Sequence, residues 1–180
     1  MGNTPPEGLV YQPDFVSTDE EEHYLGNVTA LPFSDIKMRG QVARRRTAHF
    51  GWLYGYESWR IEPGPPIPDF LLPLRERAGA LAKLDALDLA EVLVTQYPAG
   101  AGIGWHRDAP MFGVVVGVSL GAMCRMRFRR GAGQPSWELP LEPRSAYVLD
   151  GPVRSLWQHS IPPITAERYS ITFRTLRRRS

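Results

Sequence analysis

Residues 114–130 have the sequence VVVGVSLGAMCRMRFRR, which carries the strongest strand pattern in the chain. Its first part, Val114 to Leu120, is a short apolar run typical of a buried strand. In its second part the apolar Cys124, Met126 and Phe128 alternate with arginines, a period of two that puts the arginines on one face of a strand. The stretch therefore predicts two successive strands, the second with a basic face. The arginines of that face are Arg125, Arg127 and Arg129.

From Val92 onward the sequence has the same strand-forming pattern, with short runs of Val, Ile, Tyr and Phe broken by Gly and Pro. Such spacing is typical of an antiparallel barrel or jelly roll, and we expect roughly eight strands in all. After a turn at residues 131–133, further strands are predicted at 137–141, 145–149 and 169–176.

Two helices are predicted upstream of these strands. Residues 17–20 have the pattern of a capping box, so the first helix should run from Thr18 to about Leu25. The second should run from Phe70 to Leu84, with Asp69 as its cap, because leucines recur there at helical spacing. The predicted fold class is therefore α+β, with helices packed outside a β-core.

Size and composition limit the kinds of protein this can be. With 180 residues, 43% of them hydrophobic, the chain should form one domain, 1–180. The only cysteine, Cys124, excludes intrachain disulfides and thiolate cages, so any metal must use His and carboxylate. No signal peptide or run of roughly 18 apolar residues is present. We therefore expect a cytoplasmic protein with no membrane attachment, and we take it to be a monomer.

The basic residues are almost all arginine. Only Lys37 and Lys83 are lysine among 21 basic residues, and arginines cluster at 44–46, 125–130 and 177–179. Guanidinium groups bind phosphate through paired N–H donors, which favours a nucleic-acid partner. A GC-rich genome that favours arginine codons would produce the same bias, so the clusters leave both explanations open.

Three residues form a candidate metal site. His106 and Asp108 are two positions apart and share a face if the backbone is extended, but this pair alone is weak. His159 follows the predicted strand at 145–149 and the turn after it, so a neighbouring strand could bring it beside them. Two histidines and one carboxylate form the facial triad typical of non-haem iron oxygenases.

The predicted C-terminal strand gives a second, independent indication. Arg168 and Arg174 lie on the same face, because they are six residues apart in a strand with period two. The strand between them is about 20 Å long. Two long side chains that lean toward each other could shorten this gap enough to hold a short dianion between their guanidinium groups. Arginine inside a barrel is costly unless it is paired, and a dicarboxylate with Asp108 nearby would provide that pairing. A solvated edge-strand face is the alternative.

Here the sequence resembles the AlkB family of iron- and 2-oxoglutarate-dependent dioxygenases, from about Arg44 to Arg174. TQYPAGAGIGWHRD at 95–108 is similar to the family's Asn-x-Tyr segment followed by Gly and His-x-Asp. The remaining matches, in chain order, are RRRTAHFG at 44–51, VSLG at 118–121, WQHS at 157–160 and RYSITFR at 168–174.

The resemblance implies a double-stranded β-helix, or jelly roll, at 92–176, preceded by an N-terminal extension and helix at 1–43 and a substrate lid at 44–68. It implies a catalytic centre with Fe(II), 2-oxoglutarate and dioxygen. Thr95 and Ser170 stand where the family usually has asparagine; we expect altered affinity and not lost binding, because hydroxyls can still donate. The implied iron ligands are His106, Asp108 and His159, and the implied 2-oxoglutarate contacts are Tyr97, Thr95, Arg168, Ser170 and Arg174.

The implied activity is oxidative removal of alkyl groups from nucleic-acid bases, giving succinate, carbon dioxide and formaldehyde, in DNA or RNA alkylation repair or RNA demethylation. A base must leave its stack for such chemistry, so aromatic side chains that stack on it are expected. Aromatic residues in strand-forming runs are, however, more often core residues. The candidate substrate contacts are Trp52, Tyr54, Tyr56 and His49.

Two other functions stay open from the sequence. A dioxygenase of the same fold could hydroxylate a tRNA modification, a protein or a small molecule. A non-catalytic nucleic-acid-binding module with a structural metal is the second, and the triad together with both arginines argues against it.

Overall fold

The computed structural model describes residues 4–55 and 60–177, and the side chain of Tyr54 lies outside that description. In this part of the chain there are three α-helices and twelve strands. The helices are α1 (Thr18–Val28), α2 (Leu72–Ala82) and α3 (Pro152–Ser155). The strands are β1 (Leu9–Gln12), β2 (Ser34–Met38), β3 (Gln41–Gly55), β4 (Arg60–Pro63), β5 (Leu89–Tyr97), β6 (Ile103–His106), β7 (Phe112–Gly121), β8 (Cys124–Arg129), β9 (Ser136–Leu141), β10 (Ser145–Leu149), β11 (Gln158–Ile161) and β12 (Arg168–Leu176).

The strands form two antiparallel sheets, as predicted for a jelly roll. The large sheet has the order β1-β10-β7-β12-β5-β3-β2, with β4 paired to β3, and the small sheet has the order β6-β11-β8-β9. The estimate of roughly eight strands was too low. The additional strands β1 to β4 precede Val92; β2, for example, leaves only one of its five residues, Ile36, partly buried, so it carries little apolar signal.

Two apolar clusters lie on opposite faces of the large sheet. One packs the sheet against α1 and α2, and includes Tyr169, Ile171 and Phe173 of β12. The other lies between the two sheets and includes Phe128 and Leu149. The even-numbered positions of β12 point to the inter-sheet side, so this strand contributes apolar side chains to one face and polar side chains to the other.

The helices differ from prediction mainly at their ends. In α1 the capping box is present: Glu20 N–H donates to the Ser17 hydroxyl and Ser17 N–H donates to the Glu20 carboxylate. The expectation for Asp69 was wrong, because Asp69 begins a single 3₁₀ turn and α2 starts at Leu72 without a side-chain cap. Pro73 in the first turn explains this start, since proline has its φ pre-set and lacks an N–H that needs a partner.

The predicted pattern of β8 is confirmed. Cys124, Met126 and Phe128 are buried, Arg125 is exposed, and the other two arginines of the strand are partly exposed. Among the helices in the described ranges, none is long and apolar enough to cross a membrane.

Candidate metal and cosubstrate site

His106, Asp108 and His159 come together between the two sheets. His106 ends β6 and pairs in register with His159 of β11, so their rings lie side by side with centroids 4.3 Å apart. Asp108 Oδ1 lies 3.5 Å from His106 Nε2 and 3.3 Å from His159 Nε2. Two atoms that each bind a metal at about 2.1 Å and at right angles lie about 3 Å apart. One atom from each residue can therefore reach a single ion.

Hydrogen bonding fixes which nitrogen of His106 is free. Its Nδ1 lies 2.8 Å from the carbonyl oxygen of Gly104. A carbonyl only accepts, so Nδ1 carries a proton, and Nε2, which faces Asp108, is the nitrogen available to a metal. This is the tautomer a metal ligand needs.

The protonation states of the other two residues also suit metal binding. Burial alone would raise the pKa of Asp108, but the Arg174 guanidinium and the hydrogen-bonding rings of His106 and His159 hold that pKa well below its usual range. Burial lowers the pKa of His159, against the opposing effect of Asp108. A carboxylate and a neutral imidazole are the forms that coordinate metals.

A buried charge network surrounds the carboxylate. Arg174 Nε lies 3.1 Å from Asp108 Oδ2 and 3.6 Å from Glu91 Oε2. Glu91 Oε1 lies 3.7 Å from His49 Nδ1, and Glu91 is only 1% exposed. Arg174 is therefore held between two acids, and its charge orients Asp108 without leaving a net positive charge in the site.

Arg168 has a different environment at the other end of β12. It is 1% exposed, its Nε–H donates to the Ser119 hydroxyl at 2.8 Å, and its guanidinium lies 5.1 Å from the ring centroid of Tyr97. Its buried Nη1 has no hydrogen-bond partner anywhere in the described part of the chain. A buried guanidinium left incompletely paired is costly, and a carboxylate from a bound ligand would satisfy it.

Hydroxyl groups line the sheet between the two arginines. Ser170 of β12 lies opposite Thr95 of β5 and Ser119 of β7, and Ser119 lies opposite Ser145 of β10. All four are buried. These side chains are short and polar, so a ligand bound between the sheets would lie against hydroxyl groups. The site thus has metal-ligand atoms at one end and an unsatisfied cation at the other, which fits iron and a 2-oxo dicarboxylate.

Sequence reasoning missed two charged residues near the site. Glu91 had a visible signal, because it is a lone acid in the apolar strand β5. Arg154 had none in its own segment. It is 5% exposed, and its guanidinium donates to the carbonyl oxygens of Gly113, Phe112 and Ala109 at 2.7, 2.5 and 3.3 Å. It therefore holds the loop that follows Asp108.

The predicted substrate contacts are not all described. His49 lies on β3, is about half exposed, and reaches the site through Glu91. Trp52 is 42% exposed and lines a groove with residues 63–67 and α2, away from the three-residue cluster. Tyr56 lies outside the described residues, as does the side chain of Tyr54.

Comparison with known proteins agrees with this geometry. A model of the 2OG-Fe(II) oxygenase superfamily matches residues 8–174. The chain belongs to that superfamily. Similar proteins place it in the AlkB family, whose members use Fe(II), 2-oxoglutarate and dioxygen.

Three curated relatives of this AlkB-family oxygenase illustrate the similarity. The alkylated DNA repair protein ALKBH8 homolog of Arabidopsis thaliana is 29% identical, over 86% of this chain and 51% of its own length. The probable RNA/DNA demethylase ALKBH6 of Danio rerio is 30% identical, over 80% and 59%. The tRNA (carboxymethyluridine(34)-5-O)-methyltransferase ALKBH8 of Mus musculus is 28% identical, over 88% and 24%. The chain thus spans about half the length of the first two relatives and a quarter of the third.

A solved structure shows the same fold. That of OsALKBH1 superposes with a TM-score of 0.72 at 18% identity, covering 97% of this chain and 99% of the other. The double-stranded β-helix expected from the sequence is therefore confirmed.

Proposed function

We propose that this protein is an Fe(II)- and 2-oxoglutarate-dependent dioxygenase that oxidatively removes alkyl groups from nucleic-acid bases. His106, Asp108 and His159 hold the iron. The observation that carries the proposal is the pairing of this cluster with the unsatisfied Arg168 guanidinium in one inter-sheet space. The contacts to 2-oxoglutarate are made by Tyr97, Thr95, Arg168, Ser170 and Arg174.

Each residue has a role set by its chemistry. When bound, iron, 2-oxoglutarate and dioxygen supply oxidation of a substrate C–H bond coupled to decarboxylation to succinate. Arg174 keeps Asp108 ionised and oriented at 3.1 Å, and Gly104 keeps His106 in the correct tautomer. Arg168, which is 1% exposed, would neutralise the distal carboxylate, and the apolar cluster that includes Phe128 and Leu149 would exclude water.

A nucleic-acid substrate is supported by the relatives' names and by the basic face of β8. Arg127 and Arg129 both stack on Trp105, with guanidinium carbons 5.1 and 4.3 Å from a ring centroid of the indole. Arginines ordered in this way can meet phosphates without losing much side-chain freedom. His49 and Trp52, with Tyr54 and Tyr56, remain the proposed base contacts.

The finer assignments are proposals too. We propose that the chain works as one domain, with residues 44–68 as a substrate lid and 92–176 as the core, that it is monomeric, and that it serves DNA alkylation repair. The free, buried thiol of Cys124 is compatible with the reducing cytoplasm, which we propose as its location.

The test is mass spectrometry of methylated and etheno-bridged oligonucleotides after incubation with protein, iron and 2-oxoglutarate, with succinate followed in parallel. Removal of the alkyl group with matching succinate is expected from the wild type and not from Asp108→Ala. Unchanged turnover in that variant would contradict the metal assignment. Glu22→Ala, which changes an exposed acid of α1, is the control.

A second candidate is hydroxylation of a tRNA modification by the same site. It is favoured by the mouse relative, whose name specifies a modified tRNA uridine. Oxidised nucleosides from tRNA, with no product from alkylated oligonucleotides, would support it.

A further inference from the structure

Tyr147 occupies a position in the site that the functional assignments above leave unused. It lies on β10, opposite Gly117 of β7, and Gly117 in turn lies opposite Thr172 of β12. Thr172 is on the polar face of β12, between the two arginines. Tyr147, Gly117 and Thr172 are therefore neighbours across three strands, on the face of the large sheet where 2-oxoglutarate is proposed to bind.

The absence of a side chain at Gly117 determines where the Tyr147 ring goes. A Cβ at Gly117 would lie 2.2 Å from Tyr147 Cζ and 2.4 Å from its hydroxyl oxygen. The end of the ring thus lies directly above the backbone of β7, in the place of that missing Cβ. The side chain extends from β10 over β7, so its hydroxyl lies on the side of β10 that faces β12.

The hydroxyl group at this position is unused by the protein. Tyr147 is 7% exposed, and in the described ranges no residue forms a hydrogen bond with its hydroxyl. A tyrosine hydroxyl without a partner, at the end of a largely buried ring, favours a ligand that accepts a hydrogen bond, because the O–H has lost most of its contact with water. A ligand in the space would supply that partner.

The hydroxyl stays protonated and can donate. Burial raises the pKa of Tyr147 far above its ordinary value; the Arg168 guanidinium opposes this rise, and the Asp108 carboxylate adds to it. Tyr147 therefore lies within electrostatic range of both ends of the site. Arg168 reaches the neighbouring position of β7, because its Nε–H donates to Ser119, which lies two residues from Gly117 on the same face of that strand.

We propose that the Tyr147 hydroxyl donates a hydrogen bond to the distal carboxylate of 2-oxoglutarate, beside the unsatisfied Nη1 of Arg168. This inference rests on the proposed function. Thr95 and Ser170 are short, so the space between the sheets is not filled from β5 or β12, and Tyr147 reaches into it from β10. The distal carboxylate then has a cationic partner and a neutral donor, a combination that favours a dicarboxylate over a monocarboxylate.

The test compares ligands that have and lack the distal carboxylate. Dissociation constants of 2-oxoglutarate and of oxalate are measured by isothermal titration calorimetry on the Mn(II)-loaded full chain. Tyr147→Phe should bind 2-oxoglutarate roughly tenfold more weakly than wild type, because a hydrogen bond to a charged group is lost. Its affinity for oxalate should be unchanged, since oxalate does not extend beyond the metal.

Tyr11→Phe is the matched control. Tyr11 lies opposite Tyr147 on the edge strand β1, but its hydroxyl accepts from the Glu142 N–H at 3.3 Å, outside the space. Its removal should leave both affinities unchanged. Thermal unfolding of each variant confirms that the Phe substitutions retain the fold.

The outcomes separate the two proposals. If wild type binds 2-oxoglutarate and Tyr147→Phe binds it equally well or more tightly, the inference fails and Tyr147 is a core residue. If Tyr147→Phe weakens oxalate as much as 2-oxoglutarate, the contact is to the metal end and the inference is again wrong. If the wild type binds oxalate but not 2-oxoglutarate, the proposed function fails and this inference fails with it.

Discussion

Replacing Arg168 with methionine should stabilise the free protein and at the same time abolish its affinity for 2-oxoglutarate. The residue is 1% exposed, its Nε–H donates to the Ser119 hydroxyl, and its Nη1 has no partner among the described residues. Replacing incompletely paired buried charges with apolar groups of similar volume is often neutral or stabilising, by about 1–4 kcal/mol. The guanidinium thus serves the ligand and does not add to the free energy of unfolding.

The expected sizes follow from those contacts. Arg168→Met alone leaves the buried Ser119 hydroxyl without its donor, which costs about 1 kcal/mol. The double variant Arg168→Met, Ser119→Ala avoids this cost and should be about 2 kcal/mol more stable than wild type. For the ligand, losing a buried charge pair of about 3–5 kcal/mol weakens binding by at least a hundredfold.

Urea unfolding with and without 2-oxoglutarate measures both effects in one experiment. At a ligand concentration 100 times the dissociation constant, wild type should gain about 2.7 kcal/mol and the variants nothing. Arg154→Met is the matched control, because that buried arginine donates to three carbonyl oxygens, so its loss should destabilise the free protein. An Arg168→Met, Ser119→Ala protein that is less stable than wild type, or that still gains stability from 2-oxoglutarate, would contradict the proposed role of Arg168.

Three further predictions concern residues around the site and in α1. Glu91→Gln should cost about 3 kcal/mol in urea unfolding, because Arg174 loses one of its two acids, while His49→Gln should cost much less; equal costs would contradict the network. Gly117→Ala should cost about 1–3 kcal/mol by overpacking against the Tyr147 ring, and Tyr147→Leu in the same chain should recover part of it; an additive double variant would contradict the contact. Glu20→Ala should cost about 1 kcal/mol at pH 7. The Ser17 N–H bond outweighs burial and lowers the pKa of Glu20, so its contribution is present above its unfolded pKa of 4.5 and falls as the pH drops through the lower folded value. A variant whose deficit does not shrink as the pH is lowered from 7 would contradict this.

The parts of the fold that the sequence predicted are those with a local pattern. β10 has the predicted bounds, because its continuous apolar run is bordered by turn residues. β8 has the predicted faces, because its alternation is strict. Asp69 failed as a cap because Pro73, four residues later, decides where α2 begins. The strands before Val92 lack such patterns and are held by pairing with distant partners, as β3 is with β5.

The candidate site likewise has parts that the sequence predicted and parts that it did not. The sequence predicted the meeting of His106, Asp108 and His159 from their residue types, and from a neighbouring strand that could bring His159 beside the other two. The partners of Arg154 are backbone carbonyl oxygens some 40 residues away, which no sequence pattern specifies. Tyr147 resembles any aromatic residue in a buried strand until the register sets Gly117 opposite it. Contacts made through the register between distant strands were thus the part that residue types could not specify.

The two faces of β12 show why this register is so well defined. Tyr169, Ile171 and Phe173 are buried against the helices, while Arg168, Ser170, Thr172 and Arg174 face the site. A slip of one residue against β5 or β7 would reverse every side chain, moving two guanidinium groups into the apolar cluster and three large apolar groups into the polar space. The cost of that burial, several kcal/mol per unpaired charge, makes the slipped pairing unfavourable at every row of the strand. The same arginines proposed to bind 2-oxoglutarate therefore help specify the sheet, so variants at 168 and 174 should be tested for register as well as for binding.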